Sequence, residues 1–111
     1  MKKLKFILQS DGIDNINRIV NYYIKDFIIK FKIDNDLYEY NLKNDTLKKR
    51  SESVLVMDFI TPIFIVSIRE NNLSFDIPIY NVLIKKENEK IEISYDIEED
   101  KMTNKRIIIE Y

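Results

Sequence analysis

Histidine, cysteine, tryptophan and alanine are absent from this 111-residue sequence, and glycine occurs only once. Without His, the commonest general base and transition-metal ligand are missing, and without Cys there are no thiol nucleophiles, disulfides or thiolate zinc sites. One glycine, Gly12, cannot build the glycine-rich loops that cradle nucleotide phosphates. These absences predict a protein that is not an enzyme and that holds no metal and no cofactor.

Long apolar runs are also missing. The segment MKKLKFILQSDG places two lysines before Phe6, Ile7 and Leu8, but its apolar run ends at Gln9, short of the roughly 7 to 15 apolar residues of a secretory signal. No run approaches the roughly 18 apolar residues of a membrane-spanning helix. Because the chain also lacks cysteine, we predict a cytoplasmic protein without a membrane partner.

The residues that are present favour β-sheet. Hydrophobic residues make up 45% of the chain, aromatic residues make up 12%, and the formal net charge is -1, a balance typical of a globular protein. Branched and aromatic side chains fit a pleated sheet, whereas the best helix former is absent. The length predicts a single domain over residues 1–111.

Apolar runs alternate with polar clusters roughly every 8 to 12 residues, as in all-β barrels and sandwiches. Asn and Asp fill the intervening turns, where left-handed backbone geometry is wanted. Pro62 and Pro78 each remove a ladder donor, which predicts that they lie at a strand start, a bulge or an edge. The predicted strands are 2–9, 17–24, 27–33, 37–42, 46–50 continuing or breaking into 53–59, 62–68, 73–85, 90–97 and 105–111.

Residues 11–20 are the ambiguous segment. Their isoleucines and Val20 approach the i, i+3, i+4, i+7 spacing of a helix, with Asp11 as a candidate N-cap. The later alternation of Val20, Tyr22 and Ile24 favours a strand for the second half. One short helix near residues 11–20 is therefore an alternative to strand, and it could strap one face of the sheet.

Three polar patterns in the sequence are candidates for functional sites. Glu92, Ser94 and Asp96 share one face of a predicted strand, and a carboxylate pair can do acid and base work, but the pattern is more typical of the wet face of a half-buried strand. The segments DGIDNIN and DNDLYEY contain calcium-type ligands without the spacing of a calcium loop, which indicates turns.

The third pattern is basic. Residues Lys43, Lys48, Lys49 and Arg50 lie near Tyr38 and Tyr40 in sequence, a combination used by small barrels that bind single strands. The sequence pI is about 5.5, well below the roughly 9 that marks a nucleic-acid-binding domain. We therefore predict no nucleic-acid partner.

The order of four segments resembles a known family. The segments NYYIKDFIIKFKID, LYEYNLKNDTLKKRSESVLVMDF, IPIYNVLIKKENEKIEISYDI and RIIIEY follow one another as in the YwiB-like proteins, an uncharacterised bacterial family with a calycin-like (lipocalin-like) β-barrel fold. Leu47, Arg50, Met57 and Phe59 stand where that family has its L-x-x-R...M-x-F segment. The resemblance implies an all-β, antiparallel, calycin-like barrel of about eight strands, and it implies no catalytic residues.

Such a barrel has an interior that side chains fill or that holds one small molecule. The inward candidates are nearly all bulky, so we expect a mostly packed interior with a shallow pocket at its mouth. The predicted function is a non-enzymatic binding module for a small apolar ligand. The candidate ligand-facing residues are Phe31, Tyr38, Tyr40, Phe64, Phe75 and Tyr95. The predicted inward set also includes Val54, Val56 and Ile108.

An alternative function follows from strands that are apolar on both faces, such as VLVM and IFIVSI. Period-two alternation cannot hide consecutive apolar residues on one side of a sheet, so the outer side needs a cover. The alternative is an interaction or scaffold protein that acts through an apolar outer sheet face or a homodimer interface. The outward members of residues 55–66 and 82–84 are the candidates for that isologous interface.

Overall fold

Alternating apolar and polar residues form strands throughout the computed structural model, which describes residues 2–68, 70, 72–97 and 104–111. Within these residues the secondary structure is strand and turn, without a helix. The strands are β1 (Lys3–Ser10), β2 (Ile13–Lys25), β3 (Ile28–Ile33), β4 (Asp36–Asn41), β5 (Thr46–Arg50), β6 (Ser53–Asp58), β7 (Ile63–Ile68), β8 (Leu73–Pro78), β9 (Tyr80–Glu87), β10 (Lys90–Asp96) and β11 (Lys105–Glu110).

The chain divides into two compact units. The first unit comprises Met1–Asn21 and Ile79–Tyr111, and the second comprises Tyr22–Pro78. The strand order is β9-β10-β11-β1-β2 in the first unit and β2-β3-β4-β5-β6-β7-β8 in the second. All the described strand pairs are antiparallel. The prediction of a single domain stays a prediction.

The all-β antiparallel class is confirmed, but two details of the prediction are wrong. The described residues form eleven strands instead of about eight, in part because residues 73–85 are divided at Ile79, immediately after Pro78, which has no N–H for a ladder bond. Residues 11–20 form no helix, because β2 pairs with β1 from Ile13 onward. Cross-strand pairing overrides the weak helical spacing there.

We call the strands of the first unit the first sheet and those of the second unit the second sheet, and each has one face that is rich in buried apolar side chains. Across the second sheet, Leu47 faces Met57 and Met57 faces Phe64, so buried side chains form continuous rows of cross-strand neighbours. The core of the first unit contains Leu4, Phe6, Ile7, Ile79, Ile91, Ile93, Tyr95, Ile107 and Ile109. The core of the second contains Tyr22, Ile29, Phe31, Ile33, Tyr38, Tyr40, Leu47, Met57, Phe59 and Phe64.

In two strands, the residues that face the core differ from those predicted. In β6, Met57 is buried whereas Val54 and Val56 are half-buried on the opposite face. In β11, Ile107 and Ile109 are buried and Ile108 is half-buried between them. The inward assignment of Val54, Val56 and Ile108 is therefore wrong, because a strand that is apolar on both faces has no alternation to set its phase.

The turn between β2 and β3 contains an unusual residue. Lys25 pairs with Ile28, so Asp26 and Phe27 form the two-residue connection, with φ angles of 51° and 67°. Phe27 was predicted to begin a strand, but it lies in the turn, where it is 64% exposed and accepts a hydrogen bond from the Leu42 amide at 2.8 Å. Its bulky side chain therefore occupies a left-handed position that favours Gly or Asn.

The β9–β10 turn permits a test of the same backbone effect. Glu87 pairs with Lys90, and the intervening Asn88 and Glu89 have φ angles of 30° and 65°. Because Gly adopts such angles without steric strain, we expect Glu89→Gly to raise the free energy of unfolding by about 0.5 kcal/mol, measured by urea denaturation. The Glu89 carbonyl accepts a hydrogen bond from the Tyr111 amide at 2.8 Å, and the substitution leaves both backbone groups in place.

The reciprocal control for this turn is Gly12→Ala. Gly12 has a φ of 79°, and an added Cβ meets no atom within 4 Å, so only the backbone conformation opposes the change. We expect it to lower the free energy of unfolding by about 1 kcal/mol. Destabilisation by Glu89→Gly would contradict the left-handed turn geometry.

Candidate functional site

The six candidate ligand-facing residues differ in burial. Phe31, Tyr38, Tyr40, Phe64 and Tyr95 are at most 7% exposed, whereas Phe75 is 47% exposed. The Phe31 and Tyr38 rings stack with their centroids 5.1 Å apart, and the Tyr40 hydroxyl donates to Asp45 Oδ1 at 3.0 Å. The buried rings pack within their own unit, and Phe75 is the one residue of the six whose side chain is largely accessible.

Phe75 lies on β8, the last strand of the second sheet. Register places Val66 opposite Phe75, Phe64 opposite Ile77 and Ile68 opposite Leu73, so Phe75 shares a face with the buried Phe64. It is exposed because, among the described residues, β8 has a neighbouring strand on one side only, which is β7. Leu73, on the same face, is 54% exposed. Together they continue the apolar face to the margin of the sheet.

We call Leu73–Pro78 the β8 edge. In the part of the chain that the structure describes, this strand is paired only with β7, so its other side presents unpaired backbone N–H and C=O groups. The segment contains no Lys or Arg, and its single charge is Asp76. Pro78 at the end of the strand confirms the predicted edge location of that proline.

The margin of the first sheet, β9, is built differently. It carries Lys85, Lys86 and Glu87, and its register with β10 is irregular between Ser94 and Asp96. Asn81 has a φ of 54° and donates its side-chain amide to Asp96 Oδ2 at 2.8 Å. Lysines and bulges both oppose the addition of a further strand. The β8 edge lacks these features, so it is the more receptive margin.

The polar face of β10 is the solvent-facing side of a half-buried strand, as predicted. Ile91, Ile93 and Tyr95 are buried while the alternate residues are half-buried. The Glu92 carboxylate lies 3.4 Å from the Arg106 guanidinium. Glu92 is thus engaged in an ion pair, and the Asp96 carboxylate accepts a hydrogen bond from the Asn81 side-chain amide. The arrangement is that of a solvated sheet surface.

The basic segment does not form a stacking surface. Lys49 Nζ lies 3.6 Å from Asp36 Oδ2 and Arg50 Nε lies 3.4 Å from Glu39 Oε1, so carboxylates offset two of the four cationic groups. Tyr38, at 2% exposure, is closed to nucleic-acid bases, and so is Tyr40 at 0%. Base stacking needs an accessible ring face. The structure therefore does not support binding of single-stranded nucleic acid by this segment.

The two Asp- and Asn-rich segments are turns or strand ends. Asp11 and Asp34 have positive φ angles of 53° and 54° at hairpin positions. Hydrogen bonds from the Gln9 and Asn17 side chains to Asp14 lower the pKa of that carboxyl. Among the described residues no group of three or more acidic side chains is placed to hold a metal ion.

Three grooves on the described surface are lined mainly by polar and charged side chains. Their volumes are about 180, 60 and 680 Å³. Small-molecule sites are usually lined by apolar and aromatic groups, so these grooves do not resemble a pocket for an apolar ligand. The largest is lined by Asn35, Asp36, Arg50, Ser51, Glu52 and Ser53.

The outward residues predicted to form an interface differ in accessibility, and Ile60, in the turn between β6 and β7, is 64% exposed. In the second unit, Val56, Ile63 and Ile65 are half-buried, and in the first unit Leu83 is 54% exposed. The β8 edge and β9 thus both combine apolar exposure with a sheet margin, but the β8 edge carries no Lys. The absence of Lys and Arg between Leu73 and Pro78 is the sequence signal that could have pointed to this edge.

Comparison with known proteins adds no relative. No protein-family model matches the chain, and no curated protein and no solved structure matches it. The described residues include no helix that is long and apolar enough to cross a membrane.

Tyr95 gives the first unit a pH-dependent contribution to stability. Burial raises the pKa of its phenol to about 12, so the folded chain keeps that proton between about pH 10 and pH 12 while the unfolded chain loses it. The contribution is complete below pH 10 and is lost as the pH rises toward 12, by about 2 kcal/mol. We expect Tyr95→Phe to lack this loss, measured by urea unfolding from pH 8 to pH 12. Parallel alkaline profiles for both proteins would contradict this assignment.

Proposed function

We propose that this chain is a non-enzymatic interaction module that binds a protein strand at the β8 edge. The observation that carries the proposal is the coincidence, on one strand, of an unpaired backbone margin with the exposed side chains of Leu73 and Phe75. Main-chain hydrogen bonds along such a margin supply affinity, and alternate side chains supply specificity.

The chemistry of the edge defines the strand it accepts. Leu73, Phe75 and Ile77 project from one face, so the bound strand needs apolar residues at alternate positions on that side. Ser74 and Asp76 project from the other face, where a hydroxyl, an amide or a cation would pair with Asp76. The partner is therefore an extended segment with apolar and polar residues in alternation.

The test compares two edges of the same protein. Wild type, Phe75→Lys on β8 and Leu83→Lys on β9 are immobilised and exposed to cell lysate supplemented with the isotope-labelled wild-type chain. Retained proteins, including the labelled chain, are quantified by mass spectrometry. Phe75 and Leu83 are similarly exposed, at 47% and 54%, so the two variants are matched. We expect wild type and Leu83→Lys to retain a partner protein in stoichiometric amount, and Phe75→Lys to retain none of it. Equal retention by all three proteins would overturn the proposal.

The second candidate function is a calycin-like barrel that binds a small apolar ligand, and kinship with the YwiB-like proteins belongs to this proposal. Its support is the half-exposed apolar surface of Val66 and Phe75, on the same face as the buried Phe64. Native mass spectrometry of gently purified protein tests it. Extra mass that is present on wild type and absent from Phe75→Lys would favour a ligand over a protein strand.

A further inference from the structure

We infer that the strand bound at the β8 edge is β8 of a second copy, paired antiparallel with Phe75 on the two-fold axis. This inference rests on the proposed function and names its partner. The observation behind it is that the segment Leu73–Ile77 is complementary to itself when its direction is reversed.

The symmetric register makes every cross-strand pair compatible. With Phe75 opposite Phe75 of the other copy, Leu73 faces Ile77 and Ser74 faces Asp76, each pair occurring twice. Aromatic and branched pairs stabilise antiparallel neighbours, and a hydroxyl can donate to the carboxylate. Both charges are thus placed opposite hydrogen-bond donors.

Neighbouring registers are worse. A slip by one residue places apolar side chains of the two copies on opposite faces, because side chains alternate along a strand. A slip by two residues in one direction sets Asp76 opposite Asp76, and like charges in that position repel. The opposite two-residue slip shortens the paired segment. Self-pairing therefore selects a single register.

The same register joins the apolar faces of the two sheets. Phe75 lies beside Val66 and Leu73 lies beside Ile68 within one copy, so pairing of the two β8 strands makes one apolar row that runs through both molecules. The exposed part of Phe75 is covered by Phe75 of the other copy, and that of Leu73 is covered by Ile77 of the other copy. Two short strands form a small interface, so a reversible dimer is expected.

Covalent trapping tests the register. The chain has no cysteine, so Phe75→Cys introduces the only thiol. Directly opposed residues of antiparallel strands have Cα atoms roughly 4.5–5.5 Å apart, within the range of a disulfide. We expect mild oxidation to convert Phe75→Cys to a disulfide dimer at least tenfold faster than either of two controls. In Ser74→Cys the two cysteines are diagonal neighbours roughly 7–8 Å apart, and in Leu83→Cys the cysteine lies on β9. Equal rates for the three variants would overturn the inference.

A charge pair provides a second readout that keeps Phe75. Ser74→Lys places a cation opposite Asp76 of the other copy, and Ser74→Asp places an anion there, while within one copy position 74 faces only Ser67. Because two such pairs form per dimer, we expect the dissociation constant to shift roughly fivefold in opposite directions, measured by sedimentation equilibrium. A shift of the same sign for both variants would contradict this register.

The outcomes separate this inference from the proposed function. A monomeric wild type with no preferential Phe75→Cys trapping, together with a lysate partner that Phe75→Lys loses, would overturn self-pairing and retain the interaction function. If the trapping preference and the Phe75-dependent lysate partner are both absent, the self-pairing inference and the proposed function are both overturned. Preferential Phe75→Cys trapping with opposite shifts at position 74 supports the symmetric dimer.

Discussion

Tyr40→Ala is expected to lower the free energy of unfolding by about 3–5 kcal/mol, the range observed when large buried side chains are removed from a core. The Tyr40 ring is fully buried between Ile29 on β3 and Leu47 on β5, both of which are also fully buried. The substitution leaves a cavity that the two flanking strands cannot close without breaking their register. Since domains of this size are stable by about 5–15 kcal/mol, a large fraction of that stability should be lost.

Two controls divide this effect into its parts. Tyr40→Phe keeps the ring but removes the hydroxyl that donates to Asp45 Oδ1, and we expect a loss of about 1 kcal/mol. Tyr23→Ala removes the same side chain from a position that is 59% exposed, where the loss should stay below about 0.5 kcal/mol. Urea unfolding measures all three variants. A Tyr40→Ala effect no larger than that of Tyr23→Ala would contradict the burial of Tyr40.

The second large effect is expected at Ile107. Its side chain is fully buried and faces Leu8 on β1 and Ile93 on β10, so Ile107→Ala should lower the free energy of unfolding by about 2–5 kcal/mol. The neighbouring Ile108 is half-buried on the opposite face, and Ile108→Ala should lower it by roughly 1 kcal/mol. Urea unfolding of the two variants shows which of the two side chains faces the core. A larger loss of stability in Ile108→Ala than in Ile107→Ala would contradict the inward position of Ile107.

The open β8 edge has a physical counterpart in the protected β9 margin. A sheet margin attracts further strands unless charge, proline or a bulge prevents it. At β9, Lys85 and Lys86 and the irregular register near Asn81 provide that protection. At β8, a single aspartate and the terminal proline leave most of the strand open. This difference is why we propose the interaction at the β8 margin of the second unit.

The sequence predicted little of the β8 edge: it named Phe75, but as a ligand-facing residue of a barrel interior and not as part of an exposed sheet edge. Phe75 was identified as a site residue because of its size and its place in an alternating strand. Its exposure was not predictable, because burial at the last strand of a sheet depends on which strands follow it in space. Leu73 was missed for the same reason.

The turn residues show a different limit. Short turns at Asp34 and Asn88 were predicted because Asp and Asn tolerate left-handed angles. Phe27 was assigned to a strand because an aromatic residue favours a sheet, but the pairing of Lys25 with Ile28 leaves it in the turn. Hairpin register decides such positions, and a single side chain does not report it.

The sequence by itself determined the all-β class, the positions of most turns and the polar face of β10, because alternation, Asn and Asp turns and the absence of alanine act within a few residues of the chain. Only the tertiary structure decided the phase of β6 and β11, the strand conformation of residues 11–20 and the open margin at β8. These features arise from pairing between strands that are distant in sequence, and a strand that is apolar on both faces carries no local signal of which face its neighbours will cover.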